Sequence, residues 1–448
     1  MPIASGLFIC TLVVYGLILS SLIGDFVRSI SLTSAVLISI NIIIGAGLFI
    51  NPAPLTQIAE GLGFLAYLLS AVVLLPLLLC IAELATLKPS AGGLYIYAHT
   101  YISPMAGFIS GWSYFLGKTT SASILAFTFC SFLRAVIPAF EPFSAKAMTM
   151  VVLFSLVLLN IIGVKIGGRI QWLFIALKAI PIGFVLFTGI FFAFDLPKTS
   201  SLHVLMELST SVPIAIFALC GFEAICSIAH LIEHPHKNVR RAIMLSFLLV
   251  AIVSAIFQFS MYQVLGPDLA NMKSPLMAYA NALMPNSALA SRLLNALVFS
   301  SVLGASFGML TSNCWNLHTI ATHNHFPYAK ILAKLSNKQL PWVSLLMEAF
   351  LGSLILIIQS EQIPLQNMAV FGMTVAYLMS TFAALKLTHK REIVSLPRFV
   401  PYLALLSCMF ILYLCTIRIL SSGASYVFLI ILALGMVVAY LRANLVTK

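Results

Sequence analysis

Three charged residues stand where charge is expensive. Lys178 lies in Ile175-Ala176-Leu177-Lys178-Ala179-Ile180-Pro181, Glu223 closes Phe217-Ala218-Leu219-Cys220-Gly221-Phe222-Glu223, and Lys118 sits in Gly117-Lys118-Thr119-Thr120-Ser121, each inside a long apolar run. An ionisable group away from water must face a cavity or a partner. Burial makes an ammonium costly, so a lysine held at the centre of a run can take up and release a proton. A lysine near the end of its run would instead snorkel to an interface; Lys178 is too central for that to be the preferred reading. Glu223 either holds a proton, unless a cation answers it, or braces the irregular backbone beside it through hydrogen bonds, so Lys178 ranks above it as the group that gains and loses a proton. Lys118, facing a cavity, would repel a cationic ligand and accept an acidic one. If it pairs with Glu223, both effects cancel; it could also pack between helices and pair elsewhere. Glu348 reads as structural.

Two apolar runs are also interrupted. The first contains Ile44-Gly45-Ala46-Gly47-Leu48-Phe49, followed by Asn51, Pro52 and Pro54; the second is the 217–223 stretch with Gly221. Glycine weakens a helix interior. Unwinding frees backbone N–H groups at the start of one half-helix, which suit a carboxylate. It also frees carbonyls at the end of the other half, which suit an ammonium. A facing pair of such breaks fits an α-amino acid. The competing reading is that the small residues only let helices approach closely.

The elements that position these groups follow from composition. Of 448 residues 61% are hydrophobic and only 8% charged, against roughly 25% charged in soluble domains. The excess apolar surface must face lipid, and no nucleic-acid partner is implied by the net charge of +12, because the basic residues are scattered between apolar runs. The runs are too long and continuous for barrel strands, so the expectation is an all-α integral membrane protein. Twelve spans are expected near 33–57, 62–87, 104–134, 146–164, 168–194, 208–232, 240–265, 292–318, 341–360, 364–386, 399–419 and 423–442. Sixteen basic residues then fall on one side and six on the other. The positive-inside rule makes the richer side, with the C-terminus, cytoplasmic. Residues 1–30 hold an apolar extension, Gly6–Gly24, without a basic leader or small-residue cleavage site. It reads as an extra helix ahead of the core, the alternatives being an interfacial segment or a start upstream of the natural one. The two broken spans are five apart, which points to two repeats of five, the second inverted: 31–195 and 196–390, with two peripheral helices in 391–448. The eight cysteines show no C-x-x-C pair or zinc spacing, and read as buried small hydrophobes. His318, His323 and His325 lie near Cys314, but a helix-to-loop transition promises no fixed ligand geometry. No metal and no cofactor are expected.

In order and spacing the motifs resemble those of the amino acid–polyamine–organocation permeases. Residues 44–49 resemble the family's I-G-x-G-[IL]-F signature. Ala82-Glu83-Leu84 with Pro89, Gly92, Gly93, Tyr95 and Tyr97 resembles its A-E-L…P-x-x-G-G-x-Y-x-Y segment. Gly107 to Trp112 resembles the start of its third helix, and Phe217 to Glu223 with Glu233, Pro235, Asn238 and Arg241 its sixth helix and following loop. Asn324-His325-Phe326-Pro327 resembles the loop between helices eight and nine. The likeness covers roughly 31–443. Two departures, Arg240 in place of a proline and His323-Asn324-His325 in place of an Arg-Asp-Gly-like sequence, touch loops only. The resemblance implies a LeuT-like five-plus-five inverted repeat with two outer helices, and alternating-access transport of amino acids, their amines or polyamines. It implies that Ile44, Gly45, Ala46 and Gly47 cradle the substrate carboxylate. Phe217, Ala218, Cys220 and Gly221 would form the opposite wall, with Phe217 at an aromatic gate and Lys118 beside the site. It further implies that Lys178 stands where distant relatives hold sodium, and that Glu223 is a proton-sensing acid.

Other classes fit less well. A major-facilitator carrier would show two six-helix halves around a central basic loop. A membrane-embedded enzyme acting on a lipid-linked or small-molecule substrate would need a nucleophile with a base or a His-Glu-x-x-His helix. A channel would show charge rings or a repeated filter. The sequence therefore leads to a multi-pass inner or plasma membrane protein whose partners are a small amino acid, protons and the lipid bilayer. Its transport would be proton-coupled symport or exchange.

Overall fold

The computed structural model describes residues 30–45, 47–90, 92–162, 177–189, 191, 202–272, 274–285, 288–336, 340–393 and 396–446. Among these the chain is helical, and a single β-bridge joins Ile30 to Ile232. Eight helical stretches are long and apolar enough to cross a membrane, and four shorter apolar helices accompany them. The protein is thus all-α and multi-spanning. Leu245 and Ile252, Leu406 and Tyr413, and Leu434 and Val437 are broadly exposed on three different helices. Exposed apolar area on that scale needs a nonpolar solvent.

The first expected span is not one helix. It is α1 (Leu32–Ile43), a break, then α2 (Gly47–Ile50) and α3 (Pro52–Ala59). Ser31 caps α1 by accepting from the Ser34 N–H. The next spans are α4 (Gly63–Leu87), α6 (Pro104–Val136), α7 (Ala145–Ile162) and α8 (Leu177–Gly189). Ser103 and Pro104 start α6: the hydroxyl accepts the Ala106 N–H and proline occupies the first turn, where no donor is needed. The sixth span is again divided, into α9 (Leu202–Leu219) and α10 (Ala224–Ile228). There follow α11 (Pro235–Leu265), α13 (Ala288–Thr322), α15 (Trp342–Ile358), α16 (Gln362–His389), α17 (Val400–Ser421) and α18 (Tyr426–Val446). Three short helices between spans were not anticipated: α5 (Gly93–Tyr101), α12 (Pro275–Leu283) and α14 (Ala329–Leu332). The apolar-run criterion passes over them because each is too short to register as a span. The N-terminal extension lies outside the described residues apart from Ile30.

Helix ends gather at two poles. At one, His236 of α11 donates from Nδ1 to Thr86 O of α4 at 2.7 Å, Lys88 reaches Thr100 on α5, and Arg442 of α18 binds Asn324 O after α13. At the other, Lys146 of α7 binds Ile357 O of α15, and Arg134 binds Glu141 O. The first is called the basic end below.

The centre of the bundle is a crossing of α6 and α16. A Cβ on Gly372 would stand 2.6 Å from Ser113 O and 3.0 Å from Gly117 Cα, and one on Gly117 would stand 2.7 Å from Ala369 O. Only paired glycines allow backbones to meet so closely. This contact sets Lys118 and Tyr114 on α6 opposite Tyr377 on α16.

Candidate functional site

The first break follows from its hydrogen bonds. The Ile44 N–H still reaches Ile40 O, but the Gly45 N–H turns to Ile43 O at 2.7 Å. The Asn41 carbonyl thereby loses its helical donor. Lys178 Nζ on α8 takes the vacated place, donating to Asn41 O at 2.8 Å and to Ile44 O at 2.7 Å. The lysine is 7% exposed, so these carbonyls are its surroundings rather than water.

The second break is laid against the first. Gly221 has φ 126°, a left-handed conformation open to glycine. A Cβ there would lie 3.1 Å from Ile42 O and from Ile43 Cα. Gly47 is tighter, since its Cβ would stand 2.7 Å from both Cα and Cβ of Ala218. Gly45 differs: its Cβ would meet only Ile43 O and Met309 Cε at 3.9 Å. The two glycines of the signature therefore have separate physical reasons. Gly47 permits helix contact, and Gly45 lines the small hollow, where a Cβ would make ordinary contacts. Asn51 ties the broken spans further, donating to Ile214 O at 2.7 Å and accepting from Gln366 of α16 at 2.8 Å.

Glu223, 2% exposed, is saturated with donors. Its Oε1 accepts from Tyr114 OH at 2.9 Å and lies 2.9 Å from Lys118 Nζ. Its Oε2 accepts from the Gly221 N–H at 2.9 Å and from Tyr377 OH at 3.0 Å. The ion pair left open by the sequence is thus formed. The bond to the Gly221 N–H also withdraws the helical donor from Phe217 O, freeing a carbonyl at the end of α9. Tyr114 and Tyr377 carried no sequence signal; a tyrosine in an apolar run looks like core until its partner is known.

Between the breaks lies a hollow with about 10 Å³ open to the centre of a water-sized sphere, room for about one water. It brings together Gly45, Gly47, Phe217, Cys220 and Lys118 from the expected set. Ile44, Ala218 and Gly221 lie in the contact between the broken segments rather than on its wall, and Ala46 lies outside the described residues. Lys178 stands behind the first break, and Glu223 reaches the hollow through Lys118. Ile43 of α1, Ser121 and Leu125 of α6, Met309 of α13 and Met373 of α16 complete the wall. None of these five was expected from the sequence. Toward the end opposite the basic one, a second cavity of about 270 Å³ is lined by Ile50, Phe127, Thr128, Ser131, Phe132 and Gln362 among others, without a charged side chain.

Other candidates resolve differently. Glu348 is fully buried on α15 and accepts from Asn313 Nδ2 at 2.8 Å, away from the hollow. The histidines do not gather round Cys314. His323 and His325 meet His99 and Tyr95 instead, with His325 Nε2 3.0 Å from Tyr95 OH, while His318 packs on Trp315. The reason is the turn after α13, which carries 323–325 away from the helix axis toward α5. Among the described residues no group of three His, Cys, Asp or Glu could hold a metal ion, and the described cysteines are free and buried.

A multi-pass helical bundle with two opposed mid-helix breaks around an enclosed hollow defines a membrane carrier. The profile of the family described as "Amino acid permease" matches residues 30–440. The chain belongs to that family, and it is a secondary transporter of amino acids rather than an enzyme. It is 23% identical to the serine/threonine exchanger SteT of Bacillus subtilis, over 86% of this chain and 90% of that one. It is 22% identical to the mouse b(0,+)-type amino acid transporter 1, over 90% and 88%. With the mouse large neutral amino acids transporter small subunit 2 it shares 25% identity, over 78% and 69%.

Proposed function

We propose that the protein carries neutral amino acids by alternating access, coupled to protons in symport or exchange. The observation that carries this reading is the facing pair of breaks, with Lys178 Nζ bonded to the carbonyls of the first. The substrate carboxylate takes the N–H groups that open at Gly47, beside Ile44, Gly45 and Ala46. Its ammonium takes the Phe217 carbonyl, with Ala218, Cys220 and Gly221 forming that wall. The Lys118–Glu223 pair cancels its own charge at 2.9 Å, so the wall presents no net charge to a substrate side chain. Met309, Met373 and Leu125 favour an apolar one. The uncharged outer cavity and the similarity to a serine/threonine exchanger and a large neutral amino acids transporter support the same class.

Lys178 is the coupling residue. Its ammonium holds the first break in its present shape; loss of the proton weakens both bonds and releases that segment. Glu223, held by four donors, locks α6, α10 and α16 together on the basic side of the hollow. The scaffold around it is a five-plus-five inverted repeat, 31–195 and 196–390, followed by two outer helices in 391–448, with the basic end and C-terminus cytoplasmic. In the present arrangement the hollow is too small for an amino acid, which corresponds to a closed state. Substrate enters by separation of α1–α3 and α9–α10 from the helices around them.

The decisive experiment is uptake of a radiolabelled amino acid panel by proteoliposomes, with and without an inward proton gradient. Saturable uptake of neutral amino acids, raised by the gradient, is the expected outcome. Preference for arginine or glutamate over every neutral amino acid would reject the substrate class, and indifference to the gradient would reject proton coupling.

A further inference from the structure

At the basic end, outside the hollow, a cleft of about 710 Å³ opens between the start of α1, the last turn of α4 and the first turns of α11. Its walls carry Lys237, Arg240, Arg241 and His236 above Met244 and Leu245. A second cleft of about 470 Å³ adjoins it and shares His236, Lys237 and Arg241. The cations are unequal. Arg240 is spent on Glu83, 3.4 Å away. Lys237 and Arg241 are exposed and form no salt bridge among the described residues. His236 is oriented by its bond to Thr86 O, which leaves Nε2 free of that bond. The positive end of the α11 dipole adds to the same field.

What lies below the cations indicates the ligand. Lys237, Arg241, Leu245, Leu248, Ile252 and Ile256 follow one another at three- and four-residue spacing, so they share one face of α11. The last four are 53%, 44%, 53% and 44% exposed. Two uncompensated cations thus cap an uncovered apolar ladder that runs about 16 Å from Leu245 to Ile256 at 1.5 Å per residue. One leaflet of a bilayer core is about 15 Å deep. A soluble anion would use the cations and leave the ladder idle; an amphiphile with an anionic head matches both. Basic clefts between helices at a membrane surface are suited to such headgroups.

We propose that this cleft is a binding site for an anionic phospholipid, whose phosphate is held by Lys237 and Arg241 and whose acyl chain lies along Leu245, Leu248 and Ile252. Arg240 and Glu83 form the inner wall and fix the distance between α4 and α11. A lipid seated there bridges α1, α4 and α11, the first of which carries the break at Ile44. Occupancy therefore stabilises the closed arrangement of these helices without touching the hollow.

The test uses the full chain in neutral detergent, titrated with phosphatidylglycerol and followed by thermal unfolding. Phosphatidylcholine and inorganic phosphate serve as separate arms. The Lys237→Gln/Arg241→Gln double variant is compared with Lys330→Gln/Lys334→Gln, which removes two exposed cations elsewhere at the basic end. Phosphatidylglycerol is expected to raise the midpoint of the wild type by several degrees, and phosphatidylcholine to leave it in place. At about 1 kcal/mol per cation near an anionic surface, the double variant should need about thirtyfold more phosphatidylglycerol for the same shift. Its midpoint without lipid and its uptake in phosphatidylcholine vesicles should match wild type. An equal response from the double variant and wild type overturns the site in favour of diffuse surface charge. The same shift from inorganic phosphate overturns the lipid assignment, and no shift with any anion overturns both.

Discussion

Replacing Lys178 by alanine tests the link between proton and transport most directly. The side chain donates two charge-assisted bonds, at 2.8 Å to Asn41 O and 2.7 Å to Ile44 O. Hydrogen bonds of a charged group contribute about 1.5–3 kcal/mol each. Taking the lower figure for both, the variant loses about 3 kcal/mol from the arrangement in which the first break is closed over the hollow. That is a shift of about a hundredfold in its population relative to the open form. The effect should fall on one state rather than on the whole fold, because both bonds belong to the arrangement in which the first break is closed. Net uptake driven by a pH gradient should vanish in proteoliposomes. Binding of substrate, followed by tritiated ligand or by protection of a wild-type cysteine, should persist with altered affinity. Gradient-driven accumulation at the wild-type level in Lys178→Ala would refute the coupling role, whatever the variant's stability.

Two further outcomes follow from contacts already described. Gly47→Ala forces a methyl to within 2.7 Å of Ala218 Cα, a backbone atom that cannot swing aside, so about 1–3 kcal/mol of stability should be lost, while Gly45→Ala, whose methyl meets its neighbours at an ordinary 3.9 Å, should keep the wild-type midpoint and change only substrate affinity; equal midpoints for the two variants in a thermal melt would contradict the assignment. At the basic end, burial, reinforced by His323 and His99, pushes the His325 imidazole down to about 4, and burial also lowers His99, with Lys88 adding to the positive field. The folded state then favours the neutral ring, so this contribution is complete above the free value of about 6.5 and is lost as pH falls from there toward 4. His325→Phe should flatten the decline of thermal stability across that window, and an unchanged slope would show that the ring does not titrate against the fold.

The sequence by itself determined the features that are violations of a local rule. A helix in lipid tolerates neither glycine pairs nor charge without a reason, so the breaks at 44–47 and 217–223, and the central position of Lys178, stand out from apolar runs with no knowledge of neighbours. The all-α, multi-spanning character was legible for the same cause, since length and hydropathy are local quantities. What the tertiary structure decided is pairing. Lys118 meets Glu223 across 105 residues, Tyr377 meets Glu223 across 154, and Lys178 meets Asn41 across 137. Spans that are apolar on every side carry little facial pattern, so nothing local says which face turns inward. Met309, Met373, Ser121 and Leu125 were invisible for that reason. The meeting of His323 and His325 with Tyr95 and His99 was invisible too, because a turn of a few residues sends them to α5. Charge and glycine mark a site because each has a cost wherever it stands in a bilayer; the identity of its partner is set by the crossing of helices far apart in the chain.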